Sequence, residues 1–183
     1  MKNNTFSMLL IALGTALIAI ASQLAIPFGA VPFTLQTLVV ALLASLYRLR
    51  ELFLSVLLYL LLGGIGFPIF SAGSSGLAVL FGPTGGFLLA FLLSGSLIAV
   101  MIQFFGRRVP SLAVANLLGL ILTLLIGTIW LKFFYQMKWE AAFVTGFLPF
   151  VAAEIIKAVI VSLLATALYR ALPRINSYFK EGK

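Results

Sequence analysis

Long apolar runs separated by short charged or glycine-rich connections dominate the chain. Residues 6–26, 87–105, 111–131 and 149–170 each hold about 20 residues of nearly unbroken apolar character, enough for a helix to cross ~30 Å of hydrocarbon. Two further runs, 35–47 and 52–62, are too short to cross as straight helices, and the charged turn Arg48-Leu49-Arg50-Glu51 joins them. The pattern predicts an all-α integral membrane fold, a single domain over residues 1–183 with six transmembrane helices, two of them short. Short helices joined at one membrane face leave the opposite half of the bilayer to their flanking loops. Irregular backbone at that depth is tolerated only where protein buries it or where it lines a cavity.

Those loops are informative. Residues 27–34, Pro-Phe-Gly-Ala-Val-Pro-Phe-Thr, form an uncharged connection whose two prolines break helix. Residues 63–86 hold eight of the sixteen glycines and no charge. Glycine lets backbone turn sharply and approach a ligand closely. Ser71, Ser74, Ser75 and Thr84 add neutral hydrogen-bonding groups, while Phe67, Phe70 and Phe81 supply apolar walls. A phosphate-binding loop is a poor reading, because the Gly-Lys-Ser/Thr ending is missing and nothing basic is near. On this segment alone, a loop that merely plugs the bundle fits as well; the short helices beside it favour a glycine-rich outer loop closing a ligand cavity.

Composition agrees with a membrane protein. With 63% hydrophobic residues, 9% charged residues and a mean hydropathy of +1.22, the chain departs from soluble domains, which are about 25% charged. The formal net charge of +8 comes from clusters between apolar runs and at the C-terminus, the pattern of membrane orientation rather than of nucleic-acid binding. With six spans and both termini inside, Lys2, Arg48, Arg50, Arg107, Arg108, Arg170, Arg174, Lys180 and Lys183 fall on the cytoplasmic face and only Lys132 and Lys138 outside. That count places the 27–34 loop, the glycine-rich loop and the start of the last helix together on the outer side. The connection 132–148, carrying Tyr135 and Trp139, is suited to a surface helix.

In the first run, Ala12 and Ala16 form a small-xxx-small pair, fit either for packing within the chain or for docking a partner. Lys2, the apolar core and Ala19-Ile20-Ala21 also fit a cleaved signal peptide. Continuation of the apolar run through Leu24 to Ile26 favours a retained helix.

The chain has no cysteine, histidine or aspartate, which excludes disulfides, thiol chemistry, Cys or His metal sites and a histidine base. Glu51, Glu140 and Glu181 lie at or outside predicted helix ends, so Glu154 is the one embedded acid, with Lys157 three residues on and on the same helical face. An ionised side chain in hydrocarbon faces a bundle interior, a cavity or another charge. An enzyme would leave Glu154 to work alone, and a proton relay would be short. A structural ion pair remains an alternative. The pair best suits a small ligand offering donors and acceptors, since the carboxylate accepts from N–H groups and the ammonium donates to oxygen.

Val31-Pro32-Phe33-Thr34-Leu35-Gln36-Thr37, Phe81-Gly82-Pro83-Thr84-Gly85-Gly86 and a last helix with an acid and a lysine three apart resemble the BioY family. These are the biotin-specific substrate-binding (S) components of energy-coupling factor (ECF) transporters, and the resemblance runs from about Leu9 to Arg170. It implies six helices in a bacterial-type cytoplasmic membrane, both termini cytoplasmic, and biotin held near the outer face as transported ligand with no cofactor. Glu154, Lys157, Gln36, Thr34, Ser74, Ser75, Thr84, Phe33 and Phe70 are then the expected ligand-binding residues. Expected partners are a transmembrane coupling protein and two cytosolic ATPases, docked through Ala12 and Ala16, or further copies of the chain where that module is dispensed with. The family usually has aspartate where this chain has Glu154, and the extra methylene repositions the carboxylate. An S component for a different vitamin and a non-transporting membrane protein with a structural ion pair are the competing readings.

Overall fold

The computed structural model describes residues 2–171. Arg174, Lys180, Lys183 and the side chain of Lys2, all used in the charge assignment above, lie outside the described residues, as does Glu181. The chain is mostly helical: α1 (Lys2–Gln23), α2 (Gln36–Leu46), α3 (Leu49–Gly64), α4 (Leu77–Leu80), α5 (Gly85–Phe105), α6 (Val109–Tyr135), α7 (Trp139–Gly146) and α8 (Leu148–Ala171). Four stretches, Asn4–Gln23 in α1 and the whole of α5, α6 and α8, are long and apolar enough to cross a membrane. Helices α2 and α3 are shorter, about 16 and 24 Å at ~1.5 Å per residue.

Three expectations are corrected. The fold is not purely α-helical: α1 stops at Gln23, and Ala25–Ile26 (β1) pairs antiparallel with Phe33–Thr34 (β2). The connection reverses at Gly29, whose φ of 58° suits glycine, and the two-residue ladder satisfies backbone groups that a proline-broken loop would leave open. Helix α3 spans Leu49–Gly64 rather than 52–62, because extended Arg48 caps it and Glu51 in the first turn suits the positive helix end. Nor is Glu154 the only embedded acid. Glu51 is 2% exposed and accepts from Ser7 Oγ at 2.7 Å, tying the start of α3 to the start of α1.

The bundle closes through small residues. Helix α5 lies along α6, and a Cβ added at Gly119 or Gly127 would run into Ile98 or Phe87, so these positions set the closeness of approach. Helix α1 packs on α3 where Thr15 Oγ1 donates to Ser55 O at 3.0 Å, and α8 packs on α2 and α6. Leu52, Val56, Tyr59, Ile98, Leu112 and Val161 fill the centre. Large apolar side chains such as Leu93, Phe104, Ile156 and Leu163 are exposed around the outside, as a lipid-facing surface requires.

Hydrogen bonds sort the connections into two ends. Arg107, in the α5–α6 turn, donates through Nε to Ser45 O at 3.3 Å near the end of α2 and lies 4.9 Å over the Tyr169 ring near the end of α8. Burial lowers its pKa from the usual value. Arg48, Arg50, Arg107, Arg108 and Arg170 therefore share one end with the start of α1. At the other end, Gln23 Nε2 reaches Phe70 O at 3.3 Å and Trp130 Nε1 donates to Gly82 O at 2.9 Å, fastening the glycine-rich segment to α1 and α6. The expected surface helix is α7, largely exposed apart from Ala142 and Gly146.

Candidate ligand-binding site

Beneath the glycine-rich segment lies a cavity whose envelope holds about 610 Å³ of empty space, open solvent at its mouth included. Its walls come from β2, the starts of α2 and α5, the 70–84 segment, α6 and α8. Phe87, Leu88, Phe91, Leu124 and Phe150 make most of the surface apolar. Phe33 stacks on Phe150 at 5.9 Å between centroids, and Phe70 meets Tyr59 edge-on at 5.4 Å. Both rings are braced from behind.

The polar wall centres on the pair in α8. Lys157 Nζ donates to Glu154 Oε1 at 2.7 Å, to Thr37 Oγ1 at 2.8 Å and to Thr34 O at 2.9 Å, and sits 4.6 Å over the Phe33 ring. An ammonium has three protons, so all of them are committed within the protein. Thr37 Oγ1 donates in turn to Glu154 Oε1 at 3.0 Å. Glu154 Oε1 thus carries two bonds, whereas Oε2 is buried and has no hydrogen-bond partner among the described residues. Behind this group, Thr34 Oγ1 donates to Gln36 Oε1 at 3.0 Å and Gln36 Nε2 donates to Tyr59 OH. The chain of bonds fixes the Thr34 carbonyl on which Lys157 rests.

Eight of the nine expected site residues line the cavity: Phe33, Thr34, Gln36, Phe70, Ser74, Thr84, Glu154 and Lys157. Ser75 does not line it. Its neighbour Ser71 does, in a 3₁₀ turn where Ala72 adopts a left-handed φ of 55° and Ser74 Oγ closes on Ser71 O at 2.7 Å. That turn decides which hydroxyl faces inward. Sequence reasoning also passed over Thr37, although its offset of three from Thr34 at a helix start was the available signal. Ala12 and Ala16 are on the exposed face of α1, away from its contacts with α3. Among the described residues no three His, Cys, Asp or Glu side chains gather as a metal site. The arrangement offers one buried carboxylate oxygen to a donor and an apolar enclosure to the rest of a ligand.

The sequence profile of the BioY family matches residues 1–174. The chain belongs to the BioY family. Biotin transporter BioY2 of Lactococcus lactis subsp. cremoris (strain MG1363) is 54% identical over 174 residues, 95% of this chain and 96% of the relative. Biotin transporter BioY of Thermotoga maritima (strain ATCC 43589 / DSM 3109 / JCM 10099 / NBRC 100826 / MSB8) is 37% identical over 154 residues, 84% of this chain and 90% of the relative. Among solved structures, an S-component for biotin from an ECF-type ABC transporter matches with a TM-score of 0.85 at 28% identity, covering 97% of this chain and 95% of its own. BioY membership thus extends over the whole bundle that builds the cavity.

Proposed function

We propose that this chain is the biotin-binding membrane subunit of an uptake system, not an enzyme, taking its ligand from the outer face. The observation that carries the reading is the buried, unpartnered Glu154 Oε2 on the polar wall of a mostly apolar cavity. A buried acceptor without a donor costs free energy, and a carboxylate more than a neutral group. A ureido N–H restores that bond, and the aromatic walls cover the apolar ring. Lys157 holds the carboxylate in place and neutralises it; a ureido oxygen reaches the ammonium by taking over one of its present bonds. The names carried by relatives at 54% and 37% identity support biotin as the ligand.

In this reading α1, α2, α3, α5, α6 and α8 are the six spans of one membrane domain, and the glycine-rich segment closes the cavity from outside. The positive-inside rule assigns the arginine-bearing end, with both termini, to the cytoplasm of a bacterial-type cell. The exposed Ala12–Ala16 face of α1 receives a transmembrane coupling protein, which two cytosolic ATPases energise. Calorimetric titration of the purified protein in detergent tests the ligand assignment. Biotin is expected to give saturable heat at one site per chain, with thiamine and riboflavin silent. Heat from another vitamin and none from biotin would assign the cavity to that vitamin instead.

A further inference from the structure

The hydrogen-bond chain behind Lys157 does not end at Tyr59. Gln36 Nε2 only donates, so Tyr59 OH accepts from it and keeps its own proton for the Ser22 hydroxyl, to which it is also bonded. Ser22 Oγ lies 2.6 Å from Ile69 O and 2.6 Å from Ala19 O, carbonyls that only accept, so its single proton is shared between the glycine-rich segment and its own helix. Gln23 Nε2, which reaches Phe70 O, also donates to Ser22 Oγ at 2.8 Å. A directed chain thus runs from Thr34 through Gln36, Tyr59 and Ser22 to the backbone of Ile69.

Its two ends serve different parts of the site. Thr34 carries the carbonyl on which Lys157 rests, at the polar wall. Ile69 directly precedes Phe70, whose ring lines the cavity and meets Tyr59 edge-on at 5.4 Å. Tyr59 therefore grips the covering segment twice, by its ring and through its hydroxyl. Tyr59 and Ser22 are themselves fully buried and neither lines the cavity, so neither touches a ligand there. We infer that Tyr59 and Ser22 are positioning residues for ligand capture: their hydroxyls tie residues 67–76 to the polar wall and so set how often the cavity opens. This rests on the biotin reading above.

Without the Tyr59 hydroxyl, Gln36 Nε2 and a Ser22 lone pair are left unpaired among fully buried neighbours, a state that costs free energy. Lifting the segment at Ile69 lets water reach them, so the open form gains on the closed one. A ligand enters and leaves through the same opening, and both steps are therefore faster. A residue that acted only on the polar wall would speed dissociation alone.

Association and dissociation rates of radiolabelled biotin on the full chain in detergent, with Tyr59→Phe and Ser22→Ala, supply the test. Both substitutions remove one hydroxyl and keep the rest of the side chain. Each is expected to raise both rates by about three- to tenfold, one hydrogen bond's worth, so that Kd moves less than either rate. The double variant is expected to match the single ones, because both break the same link. In the ligand-free protein, amide hydrogen exchange over residues 67–76 is expected to quicken by a similar factor while α5 and α6 keep wild-type exchange. Faster dissociation at unchanged association, additive effects in the double variant, or exchange quickened throughout the bundle would overturn the link and leave the biotin assignment standing. A wild-type chain that binds no biotin would overturn the ligand reading instead. Exchange then decides the link by itself, and an unchanged rate over residues 67–76 in Tyr59→Phe overturns it.

Discussion

Glu154→Gln tests the polar wall because it keeps shape and removes charge. In the wild-type protein Oε1 is bonded to Lys157 and Thr37 while Oε2 is left for the ligand. A glutamine amide can present its oxygen to Lys157, but its NH2 group then occupies the Oε2 position and meets a ureido N–H donor to donor. Hydrogen bonds to charged groups contribute about 1.5–3 kcal/mol, and the variant replaces one by a mismatch. A loss of about 2–3 kcal/mol corresponds to roughly 30- to 150-fold in biotin Kd at 1.4 kcal/mol per decade. Folding stability also falls, because Lys157 stays buried with its counter-charge gone; removing one member of a buried pair costs up to about 3–5 kcal/mol. The double variant Glu154→Gln/Lys157→Met removes that second effect, so its Tm isolates the stability cost while affinity is read on Glu154→Gln alone. Titration calorimetry at matched folded fraction gives the answer. A Kd within twofold of wild type for a folded Glu154→Gln protein would refute the assignment of Oε2 as the ligand's acceptor.

Four further outcomes are expected. Gly63→Ala drives its new methyl into the Phe70 ring, which is fully buried against Tyr59 and lines the cavity, so Tm and biotin affinity should fall together, by about 1–3 kcal/mol of overpacking. Gly64→Ala, whose methyl meets a Leu80 methyl at 3.1 Å, should stay near wild type in both measurements. Ala12→Leu and Ala16→Leu alter only the exposed face of α1; binding in detergent should be unchanged while uptake of labelled biotin by cells carrying the coupling module is lost. Glu154→Asp withdraws the carboxylate by about 1.5 Å and keeps its charge, so biotin affinity should remain within about tenfold of wild type, well above that of the glutamine variant.

The membrane class and the pairing of Glu154 with Lys157 were legible because both rest on local regularities, run length and helical spacing. Run length marked 35–47 as a short helix, which α2 is, whereas α3 reaches 16 residues because residues 49–51 and 63–64 extend it past the apolar run. What escaped depends on contacts between distant segments. Lys157 takes two of its three acceptors from residues 123 and 120 positions away, and no spacing rule announces them. Glu51 looked like a solvent-facing acid at a helix end because only the packing of α1 on α3 brings Ser7 to it. The choice of Ser71 over Ser75 turns on a left-handed residue at Ala72, an uncommon conformation for a residue with a Cβ. The paired strands at 25–26 and 33–34 were hidden by length, two residues each being too few for any alternation to show.

The structure of the chain with biotin bound, at a resolution that orients the bicycle, is the most direct test. A ureido nitrogen about 2.9 Å from Glu154 Oε2, with the aromatic walls around the rings, is the predicted result. Biotin bound with no donor to that oxygen, or held outside this cavity altogether, would contradict it.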